Sequence, residues 1–155
     1  MVLHREIARA FDFWNKRYWD GQLPVPVFNF HPQPPNGQRL GHYLPHAWVE
    51  GKVALDEIVF YADLCLSRGI EGVLDTLVHE MCHLWQQHFG TPGRPPFHNA
   101  EWHAEVQRVG LLTTLRDGRG DDTPGPEFKK ALKTFRPRVE AVPFVRGYDL
   151  RHHMR

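Results

Sequence analysis

Two histidines four residues apart with a glutamate directly after the first, His79, Glu80 and His83, stand in the stretch VHEMCHLWQQHFG (Val78–Gly90). On an α-helix each residue advances by about 100°, so with His79 at zero His83 falls at about 40° and Glu80 at about 100°. Leu74, Leu77, Val78, Met81 and Trp85 fall between about 160° and 260° on the same wheel. The face that enters a core and the face that carries the histidines are therefore separate. Histidines at i and i+4 lie about 6 Å apart along the axis, so both rings can reach one cation at about 2.1 Å. Glu80 sits too far round the helix to be a good ligand, but it is placed to take a proton from water activated by that cation. This is the layout of a hydrolytic zinc site. The simpler alternative is two partly buried histidines satisfying hydrogen bonds beside a core helix.

A third ligand decides between the two. The following segment, PFHNAEWHAEVQ, offers His98, Glu101, His103 and Glu105. Glu101 and Glu105 lie 18 and 22 residues after His83, a separation that suits a glutamate ligand on a second helix. His98 sits where a loop meets a helix, and the loop Gly90–Pro96 is short enough to fold back over the first helix. His98 is the favoured ligand, with Glu105 and His103 as the alternatives. Cys82 lies beside the histidines on the wheel and is expected to pack as a small hydrophobe. His88 and His103 do not share the His79 and His83 direction, so surface or supporting positions are expected for them. His42 or Tyr43, one of which must face inward on a strand, is a candidate donor to an oxyanion, although an ordinary sheet position accounts for either.

The elements that must position these groups follow from periodicity. Leu3, Ile7, Phe11, Trp14 and Tyr18 form one stripe of a first helix that Asp20-Gly21 ends. LPVPVFNF favours a strand that Pro24 and Pro26 confine to an edge or to its first residues. After the loop HPQPPNG, Arg39–Pro45 and Trp48–Leu55 read as two short strands paired in a hairpin. Asp63–Arg68 reads as a short helical turn, and Gly69 to Gly72 lead into a helix from about Val73 to Phe89, which Gly90-Thr91-Pro92-Gly93 stops. Asn99–Leu112 suits another helix, Asp117–Asp122 a polar loop and Pro126–Phe135 a last helix.

In order, these segments resemble the SprT-like (Spartan-related) family of zinc metallopeptidases. The resemblance rests on FWNKRYWDGQLP at the end of the first helix, RLGHYLP, DTLVHEMCHLWQQ and HNAEW, and it covers most of the first 110 residues. It implies a minimal zincin-like α+β fold, a small antiparallel sheet packed on the HExxH helix, zinc held by His79, His83 and His98, and Glu80 as catalytic acid and base. It also suggests proteins attached to DNA as substrates. Asn99 stands where the family has glycine, which bears on the local turn. The four cysteines of the zinc ribbon found in several relatives do not follow, so no ribbon-based contact with DNA is expected.

With 155 residues, 41% apolar and 24% charged, the chain fits one globular domain rather than a disordered or collagen-like one. The expected division is a metallopeptidase region over 1–120 and a basic helix and tail over 121–155, packed on or extending from it. Lys and Arg number 19 against 18 for Asp and Glu, a balance that names no partner. From Glu127 onward, however, eight basic residues face three acidic ones. Lys129, Lys130, Lys133, Arg136 and Arg138 could track a phosphate backbone there, with Phe135, Phe144 and Tyr148 available to stack; a solvated helix face is the plainer reading. Cys65 and Cys82 form no CxxC pair, and no signal peptide or membrane-length apolar run occurs, so a soluble, cytoplasmic protein is expected. The function expected is zinc-dependent hydrolysis of peptide bonds. The rival is a zinc-stabilised nucleic-acid-binding or interaction module without activity.

Overall fold

The computed structural model describes residues 2–31, 40–94, 98–113 and 122–139. Most of the HPQPPNG loop, nearly all of the Asp117–Asp122 loop and the tail from 140 onward, with Phe144 and Tyr148, lie outside them, as do the side chains of 62–67.

The first helix, α1 (Val2–Trp19), buries Leu3, Ile7, Phe11 and Trp14, the stripe that the spacing predicts. It ends where Asp20 and Gly21 take φ values of 53° and 71°, a left-handed conformation that halts a helix. Strand β1 (Val27–His31) starts directly after Pro26, whose missing N–H cannot serve a ladder.

Strands β2 (Gly41–Glu50) and β3 (Val53–Tyr61) form the expected hairpin with a different turn. Pro45 and His46 do not end the first strand. They lie in an irregularity of pairing between Leu44 and Trp48, where His46 has a φ of 53°. A missing N–H and one left-handed residue cost ladder bonds without reversing the chain. The reversal comes at Gly51, at a φ of 60°. Trp48 therefore belongs to β2, and β3 runs on to Tyr61.

The sheet has the order β1-β3-β2. β2 pairs antiparallel to β3, but β1 pairs parallel to it, Val27 opposite Glu57 through His31 opposite Tyr61. The expectation of a wholly antiparallel sheet is thus corrected to a mixed one. β3 is the central strand and Asp56 to Tyr61 are all buried, which holds for a parallel or an antiparallel neighbour alike; the direction of β1 is set by how the chain crosses over between the strands.

Helix α2 (Ala62–Phe89) merges the expected short turn with the long helix across a break at Gly69, whose φ is 68°. Its Val73, Leu74, Leu77, Val78, Met81, Cys82 and Leu84 join Ile58 and Phe60 of β3 and the α1 stripe in one core. Helix α3 (Ala100–Arg108) is shorter than the sequence suggests. Gly110, at a φ of 94°, ends the helical path, and β4 (Leu111–Thr113) pairs instead with β5 (Asp122–Pro124). A Cβ on Gly110 would come within 2.6 Å of the Phe128 nitrogen, so only glycine fits there.

Helix α4 (Pro126–Phe135) has the predicted bounds. Phe128, Ala131 and Phe135 enter the same core, with Phe128 stacked on Trp14 at 5.7 Å between ring centroids. Arg9 of α1 donates to the carbonyls of Phe135 and Arg136, and the buried Glu6 carboxylate accepts the N–H groups of Arg138 and Val139. Among the described residues, no helix is long and apolar enough to cross a membrane.

Candidate metal centre

α2 places His79 and His83 one turn apart, and the segment before α3 brings His98 to them. One ring nitrogen from each of the three lies within 4.8 Å of the others. His83 Nε2 and His98 Nε2 are 3.1 Å apart, close to the roughly 3.4 Å that two ligands at about 2.1 Å from one tetrahedral ion would span. All three residues are partly buried. Among the described residues, this is the one group of three or more His, Cys, Asp or Glu arranged to hold a metal ion.

Burial, followed by the charges of His79, His98 and His42, drives the His83 ring well below the ordinary histidine pKa. The ring therefore stays neutral at physiological pH, the form that offers a lone pair to a cation. Glu80 is 5% exposed, and its Oε1 lies 3.9 Å from His79 Nε2, beside the group rather than within it. Three converging imidazoles with a carboxylate beside them could hold a metal ion.

Trp102 forms the floor. The indole is fully buried. It stacks on His98 at 3.8 Å between centroids and 13° between planes, on His83 at 4.9 Å and 22°, and meets His79 edge-on at 4.7 Å. Its place follows from Asn99, whose side chain caps α3 by accepting the Trp102 N–H. Asparagine, in the position where glycine was expected, thus starts the helix that carries the floor.

The other candidates fall outside the group. Glu105 accepts the Trp19 indole N–H at 2.8 Å and pairs with Arg108. Glu101 is bonded to Gln86 and to the Thr91 N–H. His103 is buried rather than superficial: its Nδ1 meets Thr113 Oγ1 at 3.0 Å, and its Nε2 has no hydrogen-bond partner among the described residues. Burial, then the charge of His79, lowers its pKa. Cys82 is fully buried in the core.

Tyr43 lies with its ring parallel to that of His83, 6.4 Å away. Its hydroxyl donates to Asp56 Oδ2 at 2.8 Å, and burial, then the bond to and charge of Asp56, raise its pKa. The hydroxyl is thus committed to Asp56. The same carboxylate meets His88 Nε2 at 2.6 Å and accepts the His46 N–H at 2.8 Å. Burial alone would raise the Asp56 pKa, but its hydrogen bonds, led by that from His46, outweigh burial and lower it. Asp56 and Trp102 escaped sequence reasoning; only the aromatic in HNAEW hinted at the second.

The SprT-like family model matches residues 7–119, a span that holds His79, Glu80, His83, His98 and Trp102 and stops short of α4. No curated protein matches the chain, and no solved structure does.

Proposed function

Taking as premise that the chain belongs to the SprT-like family, we propose that it is a zinc-dependent endopeptidase of minimal zincin-like fold, in which His79, His83 and His98 hold the ion and Glu80 is the catalytic base and acid. The observation that carries this reading is the convergence of the three ring nitrogens within 4.8 Å, with a buried carboxylate beside them. When bound, zinc supplies Lewis acidity that makes water nucleophilic near neutral pH and polarises a peptide carbonyl. The Glu80 carboxylate takes the proton of the attacking water and returns it to the leaving amine. Trp102 beneath the imidazoles excludes solvent and restricts the rings to a narrow range of orientations. A carboxylate in that place has a use in hydrolysis that a purely structural zinc site would not need.

Among the described residues β2 is the last strand in the order β1-β3-β2, which supports its outer edge as the place for an extended peptide. Pairing there uses main-chain hydrogen bonds and tolerates many sequences. Exposed Lys129, Lys130, Lys133, Arg136 and Arg138 line α4 and its end, which supports nucleic acid as a partner and DNA-associated or DNA-crosslinked proteins as substrates. The non-catalytic binding module shares the histidines and the basic face and differs in having no use for Glu80.

The test compares wild type with Glu80→Gln, both zinc-loaded, on an unfolded protein substrate with and without DNA. Cleavage by wild type alone is expected. Equal cleavage by the two would remove Glu80 from the chemistry, and no cleavage by either would favour the binding module.

A further inference from the structure

His98 reaches the other two histidines from a position outside any helix or strand. Residues 91–94, 98 and 99 are neither helix nor strand. Gln86, one turn beyond His83 on α2 and 4% exposed, directs its amide Nε2 at three oxygens: Asn99 Oδ1 at 2.7 Å, Glu101 Oε1 at 2.9 Å and the Thr91 carbonyl at 3.3 Å. Glu101 Oε1 also accepts the Thr91 N–H at 2.6 Å. Asn99 Nδ2 donates to the Thr91 carbonyl at 3.0 Å. The start of the segment, at Thr91, and its end, at Asn99, are thus tied to one buried amide. Gly90 makes room for the tie, because a Cβ there would come within 2.3 Å of Glu101 Oε1.

His98 immediately precedes Asn99. We propose that Gln86 and Glu101 are positioning residues that hold His98 in ligand geometry before the ion arrives. The proposal rests on the zinc-site reading above. A loop-borne ligand must lose conformational freedom on binding, and a clamp that fixes it beforehand lowers that cost. Neither residue belongs to the ligand group; Gln86 acts through the Thr91 carbonyl and the Asn99 side chain, and Glu101 through the Thr91 N–H and the Gln86 amide.

The measurement is zinc affinity by competition with a chromophoric chelator, with melting of the metal-free protein recorded for every variant. The set is wild type, His98→Ala, Gln86→Leu, Glu101→Ala, Glu101→Gln, and the first two clamp variants each combined with His98→Ala. Groups that orient metal ligands typically contribute about 10- to 100-fold in affinity. A loss of that size is expected for Gln86→Leu and Glu101→Ala, bringing them towards His98→Ala. Glu101→Gln, which keeps an oxygen acceptor, stays close to wild type. Once His98 is absent, the clamp substitutions should weaken binding no further. Glu101 lies partly exposed on the first turn of α3, so its alanine variant serves should Gln86→Leu fail to fold. Unchanged zinc affinity in Glu101→Ala, or an equal loss with and without His98, overturns the clamp and leaves the metal site standing. Wild type and His98→Ala binding zinc alike, or wild type binding none, overturns both.

Discussion

Replacing Gly41 by alanine tests how closely the first residue of β2 approaches Glu80. An added Cβ would lie 2.6 Å from Thr76 Cγ2, 3.0 Å from the Val59 carbonyl oxygen and 3.2 Å from Glu80 Oε1. Carbon atoms rest at about 3.5–4.0 Å, so the Thr76 methyl must yield by about 1 Å. It has little room, since Thr76 is 5% exposed and its hydroxyl is bonded to the Gly72 carbonyl at 2.9 Å. The Val59 oxygen belongs to β3, the strand with which β2 pairs, and cannot retreat without loosening the ladder. Overpacking of this kind costs about 1–3 kcal/mol, which at about 2–4 °C per kcal/mol for a chain of this size lowers the melting temperature by roughly 2–12 °C. The part of the shift that reaches the Glu80 carboxylate should appear in kcat, where a misplacement of about 1 Å costs on the order of a hundredfold, with zinc affinity little changed. Thr76→Ser removes the obstructing methyl and keeps the hydroxyl. It should therefore recover stability in the Gly41→Ala background while bringing none to the wild type, a coupling of about 0.5–3 kcal/mol. Thermal melts and kinetics on the four proteins decide it. Strict additivity, or a Gly41→Ala variant that melts and turns over like wild type, would refute the close approach.

Asp56→Asn should destabilise the protein at neutral pH. The folded state lowers the Asp56 pKa, so its stabilisation is present above the unfolded value of about 3.9 and is lost as pH falls through the lower folded value; urea melts across this range should show the gap between wild type and variant closing on the acid side. Trp102→Ala should cost about 3–5 kcal/mol in denaturant unfolding and weaken zinc binding through His98 and His83, whereas Trp102→Phe, which preserves a flat ring, should keep most of both. Joint replacement of Lys129, Lys130 and Lys133 by glutamate should leave folding intact, weaken binding to duplex DNA of any sequence, and flatten the slope of log K against log salt by about 0.9 per lost phosphate contact. An unchanged slope in that titration would take α4 out of the contact surface.

The parts of the site that were legible in the sequence are those set by local periodicity. The spacing of His79, Glu80 and His83 needs only a helix to acquire meaning, and the apolar positions from Leu74 to Met81 supply one. The nearness of His98 to the other two histidines was legible because few residues separate it from the helix end, a loop short enough to fold back. Bonds between distant residues were not legible. Tyr43 finds Asp56 across 13 residues, His88 finds it across 32, and Gln86 finds Glu101 across 15, with no pattern in the chain announcing the pairs. The sheet failed for the same reason. Alternation shows that β1, β2 and β3 are strands, but the parallel pairing of β1 with β3 depends on a crossover that no local signal encodes. Pro45 and Leu111 misled for a different reason, because a bulge and a glycine at a φ of 94° overrode the preferences of their neighbours.

The central claim is that three imidazoles share one zinc ion and leave a position for water. X-ray absorption at the zinc edge on the purified, zinc-loaded protein, repeated for His98→Ala, tests it most directly. Three nitrogen ligands and one oxygen, all at about 2.0–2.1 Å, are expected for wild type, with one nitrogen lost in the variant. A shell containing sulfur or a fourth protein ligand, or a spectrum indifferent to the loss of His98, would contradict it.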